Sequence, residues 1–147
     1  MKAVAWTAWR PLELADPVPA QTLREQLDGG QAFRWNVDEA GVWTGVFGRT
    51  VAGVRPGVNG LEWRGVVGAA TPAAALQSYL DGAGVQASLV EALPWRSDAV
   101  LRAAIAANPG LRILRQDPPE ALIGFLCSSN KRILQIRQMV AQLATTL

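Results

Sequence analysis

Histidine is absent from the 147 residues, cysteine occurs once, at Cys127, and lysine twice, at Lys2 and Lys131. The missing histidine removes Ser–His and Cys–His nucleophile pairs and every histidine-containing metal site. A single cysteine can form neither an internal disulfide nor a cysteine-based zinc site, and it suits a reducing cytoplasm. No metal and no cofactor is expected. Apolar residues never run on for the ~18 positions that a membrane span requires. The N-terminus has Lys2 but no apolar stretch leading to a small-residue cleavage site, so neither a secretory signal nor a membrane partner is expected. Repeats and low-complexity segments are also absent.

Half of the residues are hydrophobic and 18% are charged, a balance that builds a packed core rather than a disordered chain. The length suits one ordinary domain, or one small domain plus the start of another. Net charge is +2, unevenly spread. Residues 1–110 hold nine Lys or Arg against ten Asp or Glu, whereas 111–147 hold Arg112, Arg115, Lys131, Arg132 and Arg137 against Asp117 and Glu120. A basic C-terminal segment points weakly to nucleic acid, and equally to a solvated helical face.

Prolines 11, 17 and 19 keep the lead-in from Trp6 extended. Residues 22–27 form a short helix, stopped by Asp28-Gly29-Gly30. Alternating and aromatic runs then read as strands at 31–36, 41–47, 50–54 and 60–64, with a Pro56-Gly57…Asn59-Gly60 turn before the last. In the first of these Phe33 and Trp35 share a face. Together the runs make an antiparallel meander whose aromatic face needs a cover. From Thr71 the period changes. Thr71 caps a helix over 72–80, and a second helix covers 97–107. Asp117-Pro118-Pro119-Glu120 opens a third, with Asp117 capping and Glu120 reaching back as in a capping box. It runs to about Cys127 with Leu122, Phe125 and Leu126 on one face. A last helix from about Lys131 carries Ile133, Ile136, Val140 and Leu143 as an apolar stripe. That stripe lacks a partner, which suggests that the natural domain continues.

Two segments carry a family resemblance: 29–35 (GGQAFRW) leading into Val42-Trp43-Thr44-Gly45-Val46, and 111–139, which contains RQDPPEALIGFLCSSNKRI. Their order and spacing resemble those of 8-oxoguanine DNA glycosylases of the helix-hairpin-helix superfamily. The resemblance covers nearly the whole chain and is weakest over 48–107. It implies an α+β fold: an antiparallel, TATA-binding-protein-like β-sheet domain with covering helices over 1–110, then the start of an all-α helix-hairpin-helix glycosylase domain over 111–147. Such enzymes flip the damaged base out of double-stranded DNA, cleave its N-glycosidic bond and can nick the strand through a lysine Schiff base.

Gly30 matches the family glycine whose backbone carbonyl reads the lesion. 8-Oxoguanine carries a proton on N7 where guanine has a lone pair, so a dry carbonyl aimed there attracts one and repels the other, a difference of ~1–3 kcal/mol or more. Taken without the family, Gly29-Gly30 is a tight turn into a strand. Asn130 matches the residue that reaches the cytosine left unpaired by flipping; taken without the family, a helix N-cap is its readier use. Lys131, Arg132 and Arg137 are candidates to neutralise phosphates. Gln135, a candidate to hydrogen-bond the opposite base or else to face solvent, stands where animal-type members have an arginine that helps read cytosine, which opens the question of opposite-base specificity. Phe33, Trp35, Trp43 and Trp63 read as core rather than as a base-stacking platform, and Cys127 as a buried structural thiol.

No Leu-Pro-Gly-Val-Gly-like hairpin is present, and neither Lys2 nor Lys131 lies in one. Asp117 matches the helix-opening aspartate of the family and not the catalytic one. No catalytic residue is therefore expected in this chain. It reads as the front of a base-excision glycosylase/AP lyase that acts on 8-oxoguanine in duplex DNA, inactive alone and monomeric at full length. A non-catalytic module that binds duplex or damaged DNA is the alternative. The Ala-, Arg- and Gly-rich, Lys-poor composition suits a bacterial cytoplasm.

Overall fold

The structure is a computed structural model and describes residues 4–146; Lys2 lies outside them. Period-2 alternation in the middle of the chain builds a ladder of strands: β1 (Arg10–Pro11), β2 (Trp35–Val37), β3 (Trp43–Phe47), β4 (Thr50–Gly57) and β5 (Gly60–Gly65). They form one antiparallel sheet in the order β1-β5-β4-β3-β2. The meander from β2 to β5 is the expected one. β1 adds on beyond β5 through the pairs Arg10↔Trp63 and Pro11↔Glu62, and an edge is where a proline without an N–H can sit.

Direct partners across antiparallel strands share a face. One inner row runs Trp35, Gly45, Ala52, Gly65 and the next runs Trp43, Val54, Trp63. Trp35, Trp43 and Trp63 are buried there, as core. Glycine at 45 makes room for an indole: a Cβ there would lie 2.2 Å from Cδ2 of Trp35. Trp35 stacks on Phe47 at 5.7 Å between ring centroids, Phe47 meets Tyr79 at 4.7 Å, and the Trp35 Nε1 donates to the Tyr79 hydroxyl at 3.2 Å. The inner face is covered by helices α1 (Ala20–Asp28), through Leu23 and Leu27, and α2 (Ala73–Tyr79), through Leu76 with Leu80 just beyond it.

On the outer face, cations and indoles pack against one another. Arg64 lies flat across Gly53, with its guanidinium 4.6 Å from the ring centroids of both Trp6 and Trp9, and Arg55 sits 4.2 Å over Trp9. Alternating indoles and guanidiniums thus hold the lead-in segment on the sheet.

Helices α3 (Val85–Glu91), α4 (Ala99–Ala107), α5 (Pro118–Ser128) and α6 (Ile133–Thr146) complete the described residues. A second, smaller cluster joins Cys127 of α5 to Ile136 and Val140 of α6, with Phe33 packed against it. Residues 111–116 run back over the sheet unit. Leu114 joins its core, and the buried Arg112 donates to the carbonyls of Leu80 (3.0 Å), Asp81 (3.3 Å) and Asp16 (2.9 Å).

Several local expectations are corrected. The 31–36 run yields strand only from Trp35, because Phe33 turns out to α5 while Trp35 turns into the core. β4 continues through Pro56 to Gly57, so the hairpin turn is Val58-Asn59 between the paired Gly57 and Gly60. Thr71 does not cap α2; Pro72 holds the N-cap position without a side-chain bond. Asp98 begins α4, accepting from the N–H groups of Val100 and Leu101 at 2.9 Å each. Asp117 stands at the start of α5 but its side chain caps nothing. Pro118 and Pro119 have no N–H to offer it. No capping box forms either: the Glu120 carboxylate turns to the β3–β4 hairpin, accepting from the Gly48 N–H at 3.1 Å and lying 3.9 Å from Arg34. Leu122, Phe125 and Leu126 are exposed, and Ile133 and Leu143 remain at the margin of a stripe of which Ile136 and Val140 are buried. α3, which buries no residue, is not among the helices expected from the sequence.

Candidate nucleic-acid interface

The two motifs of the sequence meet in space. Helix α1 closes with the Gly29 N–H donating to the Glu25 carbonyl at 3.0 Å. Gly30 follows with φ +105°, a conformation that favours glycine, and it is exposed. A Cβ on Gly30 would find as its nearest neighbour the Ile133 Cδ1, 3.7 Å away at the start of α6. Beside Gly30 opens a cleft of about 190 Å³, lined also by Gln31, Phe33, Gln116, Phe125 and Ser128. Residues from both motifs, some hundred positions apart, therefore share one small surface.

The walls are positioned by specific contacts. Phe33 lies against Gly124, where a Cβ would come within 3.2 Å of two atoms of its ring. Opposite, Phe125 stands at the rim with 74% of its surface exposed. Gln31 reaches across to the 112–116 segment. Its Nε2 donates to the Arg112 carbonyl at 2.9 Å, its Oε1 accepts from the Leu114 N–H at 2.9 Å, and its own carbonyl accepts from the Gln116 Nε2 at 2.6 Å. Among the described residues no hydrogen bond ends on the Gly30 carbonyl.

The bend between α5 and α6 is made by Asn130 in the left-handed region, φ +54°. Its amide makes no hydrogen bond among the described residues, so capping is not its use. Gln135 supplies that service: its Oε1 accepts from the Arg132 N–H at 3.0 Å, closing the first turn of α6. Lys131 and Arg132 are exposed and have no carboxylate partner among the described residues. Arg137 differs. It pairs with Asp28 and donates to the Trp35 carbonyl at 2.7 Å and to the Asn36 side-chain oxygen at 2.9 Å. The phosphate role expected of Arg137 is thus corrected: its guanidinium is a strut that ties α6 to the sheet unit, drawn there by a carboxylate and an unbonded strand carbonyl.

Sequence reasoning missed Gln31 and Gln116. The available signal was a polar side chain set between a glycine pair and an apolar run, a place where burial demands hydrogen-bond partners. Away from the cleft, burial pushes the Tyr79 phenol up to about 12. Among the described residues, no three carboxylates or thiols gather to hold a metal ion.

The model of the 8-oxoguanine DNA glycosylase N-terminal domain matches residues 17–122. The chain belongs to that family. The N-glycosylase/DNA lyase OGG1 of Arabidopsis thaliana is 35% identical over 136 residues, which is 90% of this chain and 36% of the plant protein. MBOgg1, solved in complex with a low-affinity DNA ligand, superposes with a TM-score of 0.70 at 34% identity, over 83% of this chain and 41% of that one. The Clostridium acetobutylicum 8-oxoguanine glycosylase/lyase, in its apo form, gives 0.64 at 28% identity over 78% and 39%. The chain thus spans about two fifths or less of the length of these relatives. The family's fold is the one found here, α+β with an antiparallel five-stranded sheet.

Proposed function

We propose that this chain is the lesion-reading front of an 8-oxoguanine DNA glycosylase/AP lyase. The carrying observation is the cleft itself. It places Gly30, with a carbonyl that accepts no internal bond, beside the α5–α6 bend that holds Asn130 between Ser128 and Lys131. In this reading the Gly30 carbonyl accepts the N7 proton of a flipped 8-oxoguanine and disfavours the N7 lone pair of guanine. Asn130, its amide uncommitted, serves the cytosine left behind. Lys131 and Arg132 neutralise backbone phosphates. Gln135 contributes less to base reading than its position implied, because its Oε1 already closes α6.

Bond cleavage falls to a lysine and an aspartate outside these 147 residues, and this chain alone excises nothing. In this reading residues 111–147 begin a helical unit, and the exposed Leu122, Phe125 and Leu126 are the face on which its further helices pack. The Clostridium acetobutylicum relative has been solved with double-stranded DNA containing cytosine opposite 8-oxoguanine, which supports the same substrate for the full-length protein. We place that protein as a monomer in a bacterial cytoplasm, at the nucleoid, in line with its Lys-poor and Arg-rich composition.

The test is binding of the chain to matched duplexes bearing 8-oxoguanine or guanine opposite cytosine, at two salt concentrations. Affinity that weakens with salt and favours the lesion is expected. Salt-sensitive binding with no lesion preference would leave a duplex-binding module, the alternative reading, and would remove Gly30 from its role.

A further inference from the structure

We propose that Gln31 is a positioning residue for the Gly30 carbonyl, with Gln116 as its second anchor; this rests on the reading of Gly30 given above. A carbonyl can discriminate two bases by one N7 proton only if its direction is fixed before the base arrives. Two consecutive exposed glycines are a poor means of fixing anything, since glycine loses more freedom on ordering than any other residue. The structure brackets them. On the N-terminal side the Gly29 N–H is tied to the Glu25 carbonyl at 3.0 Å. On the C-terminal side Gln31 is held three ways, by both ends of its side-chain amide and by its own carbonyl.

The Gly30 carbonyl shares a rigid peptide plane with the Gln31 nitrogen, so anchoring Gln31 anchors the direction of that oxygen. The anchoring segment also leads directly into α5, which supplies Phe125 and Ser128 to the same cleft. The clamp therefore ties the reading group to the far wall. Only an amide does this work, because the side chain must donate to one main-chain group and accept from another two residues on.

The experiment compares the wild-type chain with Gln31→Met, which keeps the length and loses both side-chain bonds, and with Gln31→Glu, which keeps the acceptor for Leu114 and loses the donor. Gln116→Ala removes the third bond from a half-exposed side chain, should the first substitution unfold the chain. Lys131→Ala is the contrast. The ratio of affinities for 8-oxoguanine and guanine duplexes should fall about tenfold in Gln31→Met, the factor of one hydrogen bond, and less in Gln31→Glu. The dependence of affinity on salt should be unchanged in both and reduced in Lys131→Ala. A ratio retained within about twofold in a folded Gln31→Met would overturn the proposal. If the wild type itself shows no lesion preference, the reading of Gly30 has failed, and backbone order at Gly30 decides the clamp. An amide order parameter that drops from about 0.85 toward 0.6 in Gln31→Met supports it, and an unchanged one overturns it.

Discussion

Arg137 is the sharpest place to separate a structural cation from a DNA-binding one. It stands on α6, shortly after Lys131 and Arg132, yet its guanidinium spans three acceptors on the sheet unit: Asp28, the Trp35 carbonyl and the Asn36 side chain. The pair with Asp28 is partly open, with side-chain exposures of 26% and 28%, so solvent screens it to about 1 kcal/mol or less. A charged hydrogen bond to a main-chain carbonyl adds about 1.5–3 kcal/mol, less what water restores when the arginine is gone. Arg137→Ala should therefore cost about 2 kcal/mol of unfolding free energy, a fall in Tm of roughly 6–8 °C for a chain of this size. Arg137→Lys should recover less than half of that, because an ammonium cannot fork to a carboxylate and a carbonyl together. Urea unfolding by tryptophan fluorescence measures the loss, and a double-mutant cycle with Asp28→Asn apportions it. The same variant should bind duplex DNA with an unchanged slope of log affinity against log salt. A stability loss below about 0.5 kcal/mol, combined with a slope reduced by about one ion, would refute the strut and restore the phosphate role.

Three further expectations follow from packing and burial. Gly45→Ala places a methyl 2.2 Å from the Trp35 indole, so it should destabilise by about 3 kcal/mol or more and redden the tryptophan emission in native buffer; an unchanged urea midpoint would contradict the inner row of the sheet. Arg112→Met strands the carbonyls of Leu80 and Asp16, while that of Asp81 keeps the Gly84 N–H, and should cost about 2–4 kcal/mol, read by the same unfolding assay. Tyr79, the single tyrosine, gives the pH test. Its phenol ionises at about 12 when folded against 10.0 for the free group, so below pH 10 both states keep the proton and stability does not respond. Between the two values only the unfolded chain releases it, and stability should fall as pH rises, by about 2–3 kcal/mol in all. Absorbance of the ionised phenol follows the site directly, and ionisation near 10 in the folded chain would contradict its burial.

What the sequence made legible depended on the range of the force involved. Strands 43–47 and 60–65 were readable because alternation reports a local pleat, and Asn130 and Gly30 stood out because their motifs are unusual words. The N-terminal edge of α5 was read from local chemistry, and its position held while its mechanism did not. Glu120 faced a choice between the Asp117 N–H at its own helix end and the Gly48 N–H with Arg34 on the hairpin, and the tertiary partners won. Arg137 followed the same logic, since nothing near it in sequence announces an acidic residue 109 positions earlier. Phe33 and Trp35 could not be parted by pattern alone: they alternate like a strand, but Gly124 offers one ring a seat on α5 and Gly45 offers the other a seat on β3. The cleft is therefore a product of long-range choices made by residues whose local signals were ambiguous. The Gly30 carbonyl, the reading group under the proposed function, is the exception, a backbone atom on a glycine, which no substitution of side chain can supply. For that reason the specificity of the site should reside in whatever fixes the backbone, and the side chains to test are those, such as Gln31, that touch the main chain and not the base.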